Sequence, residues 1–257
     1  MPAVYADHPF AVIPTPSFPR LKNGEPIDIF HRLATEMTLV HNLLLRSLNA
    51  IVLQAPHITG ADILPFTRFI LAWHTLISVH HAGEEELFFP AVERMTGVVG
   101  VMDKEKGEHE QFHAGLDALK GYVDAVVKGE EKWDGGRVVQ VVEGFGGVLR
   151  GHLKGEIESL EGLRRFGEEK MKGVMKAAEE EAEAGMKALG GFGLAWAFQQ
   201  IDYEFEEGTW KSWPAAPFPV KFIAQTVMGR IYADGLKYSA CDRNGRLQPL
   251  YALRDKQ

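Results

Sequence analysis

The chain has 257 residues, 46% hydrophobic and 25% charged, which fits a globular protein with one large domain and an appendage. Its formal net charge of −7 argues against nucleic acid as a partner, because phosphate recognition needs an excess of basic side chains. The single cysteine, Cys241, excludes an internal disulfide, and neither a signal peptide nor an apolar run of roughly 18–20 residues is found, so we expect a cytoplasmic protein that does not span a membrane.

The first segment, residues 1–25, carries five prolines, at positions 2, 9, 14, 16 and 19. Prolines at this density interrupt a helix, so the segment is predicted to be an extended arm that lies over the body of the protein. Residues 26–168 then show the apolar periodicity of a four-helix bundle. The predicted helices span residues 27–54, about 61–95 and about 100–128, and a fourth begins near residue 137.

The fourth helix has an alternative interpretation because it contains six glycines, each of which costs about 1 kcal/mol relative to alanine in a helix. Its valine-rich spacing is also compatible with strands. A helix is favoured because apolar and ligand-type residues repeat every three or four positions. These residues are Phe145, Leu149, His152, Glu156 and Leu160.

Beyond residue 166 the composition shifts to Glu, Lys and Ala, which predicts that residues 167–187 form either a solvated extension of the fourth helix or a separate surface helix. Short helices are predicted at 194–205 and 220–234, followed by an irregular tail from 235 to 257. We interpret residues 169–257 as a C-terminal extension that packs on the bundle. The fold class is therefore predicted to be all-α, an up-down-up-down four-helix bundle with additional C-terminal helices.

Histidine and glutamate recur at helical spacing along the bundle. His41 lies in the apolar seam of the first helix, and each later helix carries a pair of candidate ligands four residues apart. Residues four apart share one face of a helix, so each pair can direct two donor atoms at one point. The predicted metal ligands are His41, His81, Glu85, His109, His113, His152 and Glu156.

The type of donor limits the metal. Nitrogen and oxygen donors without thiolate argue against a structural zinc site, and seven ligands exceed what one tetrahedral ion needs. Two ions bridged by Glu85 and Glu156 would use the whole set, and such donors suit a pair of iron ions. Zinc and manganese pairs remain open alternatives.

Three further residues compete for places in this set. His80 and Glu84 have the same four-residue spacing as His81 and Glu85, one position earlier. The apolar row on the second helix favours His81, which leaves Glu84 as a neighbouring group or an alternative ligand. His74, two turns before His81, is interpreted either as a core histidine or as an additional ligand or hydrogen-bond donor to a molecule bound at the metal.

These motifs resemble the hemerythrin-like, HHE-type domains over about residues 27–166. The resemblance rests on His41, on the segment from His81 to Glu85 with the following Phe-Phe-Pro, on His109-x-x-x-His113 and on His152-x-x-x-Glu156. It implies an up-down four-helix bundle around an oxo- or hydroxo-bridged non-haem pair of iron ions, with O₂ as ligand. The tail YSACDRNGRLQPL and Trp213-Pro214 are similar to the C-terminal extension of fungal members.

Members of this family bind O₂ reversibly, sense oxygen or iron, or have peroxide- or nitric-oxide-related roles. Oxygen carriers place an aspartate five residues after the last histidine, whereas Glu156 follows His152 by four, as in the sensing branch. The leading hypothesis is therefore a di-iron protein that binds O₂ or senses oxygen or iron. The alternatives are an oxidase, peroxidase or nitric-oxide enzyme, an interaction protein switched by metal through residues 190–257, and a metal-free bundle.

Overall fold

The structure is a computed structural model that describes residues 3–256, apart from the side chains of residues 172, 255 and 256. In chain order the main helices are α1 (Ser17–Lys22), α2 (Ile29–Gln54), α3 (Ile63–Gly83), α4 (Phe89–Thr96), α5 (Asp103–Lys128), α6 (Gly135–Gly162), α7 (Glu168–Ala188) and α8 (Gly190–Phe198). The described residues contain no strand, and an isolated bridge pairs Cys241 with Leu247. The all-α prediction is confirmed.

Four long rods form the bundle: α2, then α3 continued by α4, then α5 and α6. Helix α2 is buried on nearly every side because α3, α6 and α7 all pack against it. Its first turn is fixed by Asp28, whose carboxylate accepts a hydrogen bond from the backbone N–H of His31. Helices α3, α6 and α7 therefore enclose α2 and bury its polar side chains together with its apolar ones.

The second rod is interrupted where the sequence predicted one helix over about 61–95. Helix α3 ends at Gly83, a π-helical turn spans Glu84–Phe88, and α4 then begins with Pro90 in its first turn. Proline has no N–H to donate to the preceding turn, so the wider π-helical turn accommodates the missing hydrogen bond. The effect of Pro90 on this segment is thus a change of helix type upstream of it.

Helix α6 is continuous over 28 residues despite its glycines, so the helical interpretation is confirmed over the alternative of strands. Gly135 at its first turn permits a close approach: a Cβ there would lie 1.9 Å from the carbonyl oxygen of Ala55. Asp134 caps this end by accepting hydrogen bonds from two backbone N–H groups. Close packing therefore explains Gly135 and Gly146, where a Cβ would overlap a neighbour, but not Gly144, Gly147 and Gly151, which have open space around them.

The N-terminal arm lies along α2, and it is not extended throughout because residues 17–22 form α1. Pro16 and Pro19 sit before and within the first turn of α1, where proline is tolerated. Asn49 holds the arm by donating to the carbonyl oxygen of Ala6 at 2.8 Å and accepting from the N–H of Phe10 at 2.8 Å. The prolines thus limit α1 to a short helix without preventing it.

The chain end closes over this arm. The N–H of Leu250 donates to the carbonyl oxygen of Val4 at 2.9 Å, and Gln54 at the end of α2 donates to the carbonyl oxygen of Tyr238 at 2.9 Å. The ring of Tyr238 lies 4.9 Å from that of Phe66 on α3. Segments that are distant in sequence therefore meet at one end of α2.

The C-terminal extension differs from its prediction in two ways. Helix α7 is not solvated on all sides, because Met171 and Val174 are buried where it packs against α3 and α4. The helix predicted at 220–234 is instead broken into Phe218–Phe222, a π-helical turn at Ile223–Met228 and Gly229–Ile231. None of the helices in the described part of the chain is long and apolar enough to cross a membrane.

Candidate metal centre

Five imidazole rings and two carboxyl groups meet inside the bundle, and none of these residues is more than 4% exposed. They come from four helices. The residues are His41 on α2, His80, His81 and the adjoining Glu84 on the second rod, His109 on α5, and His152 and Glu156 on α6.

The donor atoms divide into two groups that share Glu84. One group joins Glu84 to His81, His109 and His152, the other joins it to His41 and His80, and in each group all donors lie within 4.8 Å of one another. The two oxygens of Glu84 reach one histidine in each group.

One oxygen of Glu84 is 3.2 Å from Nε2 of His80, and the other is 3.4 Å from Nε2 of His109. Glu156 lies 3.3 Å from Nε2 of His41. Glu84 therefore stands between the groups in the position of a bridging carboxylate.

Four of the five rings are held from outside the cavity by an oxygen that accepts a hydrogen bond from Nδ1. The partners are Leu153 O for His41 at 2.8 Å, Glu181 for His80 at 3.0 Å, Glu85 for His109 at 2.6 Å and Glu108 for His152 at 3.0 Å. This contact fixes the ring and turns Nε2 into the cavity, which is the usual arrangement around a metal-bound histidine. Nε2 of His109 and Nε2 of His152 lie 3.1 Å from each other there.

Several buried polar atoms of the cavity have no hydrogen-bond partner among the described residues. They include Nε2 of His41, His80 and His81 and both carboxylate oxygens of Glu84 and Glu156. A buried polar atom without a partner costs about 1–3 kcal/mol, so several together indicate that the cavity is shaped for something else. Imidazole and carboxylate donors facing inward fit a pair of metal ions.

Burial and neighbouring charges shift the pKa values of several residues in the cavity. Burial raises the pKa of Glu84 well above its ordinary value, and the neighbouring carboxylate of Glu156 raises it further. Burial lowers the pKa of His81 well below its ordinary value, and the adjacent imidazoles lower it further. For His80, burial lowers the pKa, but two flanking carboxylates outweigh burial and raise it to about 9. A bound cation favours ionised carboxylates and neutral imidazoles, so metal binding would release protons here.

Adjacent positions on α3 serve different groups. His80 and His81 are rotated by about 100° from each other around the helix. The ring of His80 lies 5.4 Å from that of His41, whereas the ring of His81 lies 4.3 Å from that of His109. Because α3 packs between α2 and α5, both directions point into the bundle.

The structure brings together five of the seven residues that the sequence suggested, and it adds both members of the rival pair. His41, His81, His109, His152 and Glu156 lie in the cavity together with His80 and Glu84.

The other two suggested ligands, Glu85 and His113, do not enter the cavity. The side chain of Glu85 is 45% exposed and contacts the outer nitrogen of His109. His113 is also outside, with a side chain that is 67% exposed and Nδ1 3.8 Å from Asp117.

His113 lies outside because the buried stripe of α5 is narrow. Apart from Tyr122, its buried members follow a three- and four-residue spacing: Glu105, His109, Phe112, Leu116, Leu119, Val123 and Val126. Phe112 takes the inward place on the turn after His109, which leaves His113 at the edge of the stripe. The donor group that contains His109 and His152 takes its third imidazole from His81 and not from His113.

The spacing of the histidines and glutamates did not reveal two of the residues that contact cavity histidines, Glu108 and Glu181. Glu108 precedes His109 in an acidic stretch, and nothing in its spacing marks it. Glu181 lies in the charge-rich helix α7, but it continues the buried spacing of Met171, Val174 and Ala177 on that helix. That continuation was the available sign that Glu181 faces inward.

A polar cleft of about 160 Å³ opens at the surface between α3 and α5 and reaches His81. Its lining includes Glu85, His113 and Asp117. His74 also lines it, with Nδ1 3.3 Å from the hydroxyl of Ser78 and with Nε2 buried and without a described partner. His74 is therefore a cleft residue that belongs to neither donor group.

Comparison with known proteins adds the family. The family model described as Hemerythrin HHE cation binding domain matches residues 32–164, which contain all seven residues of the cavity. The chain is similar to Dimeric xanthone biosynthesis cluster protein R11 from Cryptosporiopsis sp. (strain 8999), with 27% identity over 248 residues, covering 94% of this chain and 90% of the relative. No solved structure matches the chain. With more than half of its length matched by the family model, the chain belongs to the hemerythrin HHE cation-binding domain family.

Proposed function

We propose that this protein holds two iron ions in the buried cavity and that its function is to bind O₂ at this centre. The observation that carries the proposal is the shared carboxylate of Glu84, which lies within 3.4 Å of histidines from both donor groups. A carboxylate in that position can bridge two cations and offset their charge. The family match supports cation binding, and the donor chemistry supports iron.

The two groups differ in donor number, and this difference has a chemical consequence. One ion would be held by His81, His109 and His152, and the other by His41 and His80. Both would share the carboxylates of the cavity. The ion with two imidazoles has fewer protein donors, so it is the one at which a small ligand would be accepted.

The iron pair would supply the electrons that reduce O₂, and the surrounding residues would keep bulk water away. The ring of Phe112 lies 5.2 Å from His81 and 5.4 Å from His152, and it is fully buried. Leu44 and Phe89 are also buried in the core around the cavity. Apolar walls of this kind strengthen electrostatic interactions inside the cavity because they lower the local dielectric constant.

Redox turnover is the second candidate, and the cleft beside His81 favours it. The cleft is polar and open, and it places ionisable side chains, including His74 and Glu85, next to the centre. Such groups can deliver protons during the reduction of O₂, peroxide or nitric oxide.

The size of the cleft limits the substrate of such an enzyme. A volume of about 160 Å³ is below the roughly 300 Å³ at which pockets for drug-sized ligands begin. The name of the relative refers to xanthone biosynthesis. The enclosed part of this cleft suits a small oxidant better than a fused three-ring molecule such as a xanthone, so we propose a small oxidant as the substrate.

Anaerobic loading with ferrous iron tests the proposal. We expect about two iron ions per chain by elemental analysis, a higher melting temperature, and consumption of O₂ after mixing. Release of O₂ under vacuum would indicate reversible binding, whereas continued consumption in the presence of a reductant would indicate an enzyme. Parallel loading with zinc and manganese tests the metal. A chain that takes up no iron, or that takes it up and does not react with O₂, contradicts the proposal.

A further inference from the structure

A carboxylate from the C-terminal extension reaches the cavity from outside the family domain. Glu181 lies on α7, beyond the matched residues 32–164, and its Oε1 accepts a hydrogen bond from Nδ1 of His80 at 3.0 Å. On its inner side, Nε2 of the same ring lies 3.2 Å from Glu84. His80 is thus held between a carboxylate of the cavity and a carboxylate of the extension.

The position of Glu181 matches that of two residues within the bundle. Glu85 and Glu108 contact the outer nitrogens of His109 and His152 in the same way. Glu181 is the most enclosed of the three, since its side chain is 10% exposed, compared with 45% for Glu85 and 25% for Glu108. One of the carboxylates that contact the outer nitrogens of the cavity histidines therefore comes from a helix outside the residues matched by the family model.

Two features of the packing bring Glu181 to this place. Met171 and Val174 bury the same side of α7, so the helix turns Glu181 towards α3. Gly83 then leaves room for it, because a Cβ at this position would lie only 2.5 Å from Cγ of Glu181. The sequence thus provides both the inward carboxylate and the gap that receives it.

Other glutamates on α7 behave differently. Glu180 pairs with Lys176, Glu183 pairs with Lys187, and all four of these side chains are more than half exposed. Such pairs contribute little to stability because solvent screens them. Glu181 is instead buried against a histidine of the cavity, where a carboxylate is costly unless its partner compensates.

We propose that Glu181 is a positioning residue for His80 and that it links the docking of α7 to the binding of the ion held by His41 and His80. The proposal rests on the proposed function only in requiring that the cavity binds metal. Partners of this kind orient the ring and make the metal-bound nitrogen more basic. Linkage is reciprocal, so an ion at His80 also strengthens the docking of α7 on α3.

Cobalt(II) titration of the full chain under anaerobic conditions provides the test, because the visible spectrum of cobalt reports its ligands and geometry. For Glu181→Gln, one of the two ions should bind about 10- to 100-fold more weakly and its spectrum should shift, whereas the other ion should bind as in wild type. Glu180→Gln, one position away and exposed, is the matched control and should bind both ions normally.

A second variant changes no charge. Gly83→Ala should push Glu181 away from His80 and weaken the same ion. Gly185→Ala on α7 is its control, because a Cβ there would meet Val79 at 3.8 Å, an ordinary contact. If Gly83→Ala does not fold, Glu181→Gln still decides the question, since it preserves the shape of the side chain.

Hydrogen exchange measures the coupling in the other direction. Metal loading of wild type should slow amide exchange in residues 168–188, and this slowing should be lost in Glu181→Gln. A variant that is less stable to heat but binds both ions with wild-type affinity and spectrum would show a merely structural ion pair and overturn the inference alone. A wild-type chain that binds no metal would overturn the proposed function as well.

Discussion

Replacement of one of two neighbouring glutamates should distinguish the cavity from its surroundings. Glu84 is fully buried and lies between the two donor groups, whereas the side chain of Glu85 is 45% exposed and contacts only the outer nitrogen of His109. Glu84→Gln removes a charged donor from both ions. Glu85→Gln keeps a hydrogen-bond acceptor in place at the edge of the site. The two substitutions are the same chemical change at adjacent positions, so a difference between them reports on the different places of Glu84 and Glu85 in the site.

The expected loss of metal-dependent stability in Glu84→Gln follows from the linkage between metal binding and folding. At a metal concentration of 100 times the dissociation constant, one bound ion stabilises the folded state by about 2.7 kcal/mol. If Glu84→Gln weakens binding about 100-fold, only about 0.4 kcal/mol remains. The loss is about 2.3 kcal/mol for each ion, or about 4.6 kcal/mol for both, which corresponds to a decrease of roughly 9–18 °C in the metal-loaded melting temperature for a chain of this size.

The metal-free protein should respond in the opposite sense. Both oxygens of Glu84 are buried without a hydrogen-bond partner among the described residues, and Glu156 lies close by. A glutamine amide can donate to that carboxylate, so metal-free Glu84→Gln should be as stable as wild type or more stable by about 1 kcal/mol. A stabilising substitution that removes metal binding is typical of a residue kept for function.

Calorimetric melting with and without metal, together with elemental analysis, measures both effects. Glu85→Gln should retain two ions per chain and most of the metal-dependent increase in melting temperature. If Glu85→Gln loses as much metal as Glu84→Gln, or if Glu84→Gln keeps both ions at wild-type affinity, the assignment of Glu84 as the shared carboxylate is wrong.

Three further predictions follow from other residues. His80→Gln should remove one ion while His113→Gln leaves the metal content unchanged, as elemental analysis would show; equal losses would contradict the assignment. For Asp28, burial raises the pKa but is outweighed by hydrogen bonds that lower it to about 2, so it should stabilise the protein above about pH 4 and lose this contribution towards pH 2. The destabilisation caused by Asp28→Asn, about 1 kcal/mol at pH 7 with solvent screening included, should therefore disappear in acid, as melting temperatures measured at both pH values would show. Gly135→Ala should destabilise the protein by more than about 3 kcal/mol because its Cβ would overlap a backbone oxygen, whereas Gly144→Ala on the same helix meets no atom within 4 Å and should be stabilising; denaturant melts would show the contrast.

The bundle was predictable from sequence because burial of α5 and α6 follows a simple helical period. Even α6 obeyed it, since Phe145, Leu149 and His152 kept their spacing in spite of the glycines. The extension was less predictable. Helix α7 carries a sparse apolar stripe among many charges, and only the presence of α3 and α4 beside it shows which side is buried.

The choice of ligands on α3 could not be made from spacing alone. His80 and His81 both fall on buried sides because the helix has neighbours on two sides, and a single apolar row cannot represent this. The preference for the His81–Glu85 pair assumed that one row faces the centre. His113 was suggested by its spacing from His109, but Phe112 takes the inward position on that turn.

The C-terminal extension covers part of α3, so the core of this protein cannot be completed until the extension has been synthesised. Phe66 and Phe69 on α3 are covered by Tyr238 and Trp196, which are made long after α3 itself. At about 5–20 residues per second, a ribosome needs roughly 4–18 s to proceed from residue 162 to residue 250. During that interval the nascent bundle exposes aromatic rings, so we expect it to depend on chaperones. A chain ended at residue 190 should accordingly bind a dye specific for exposed apolar surface, and the full chain should not.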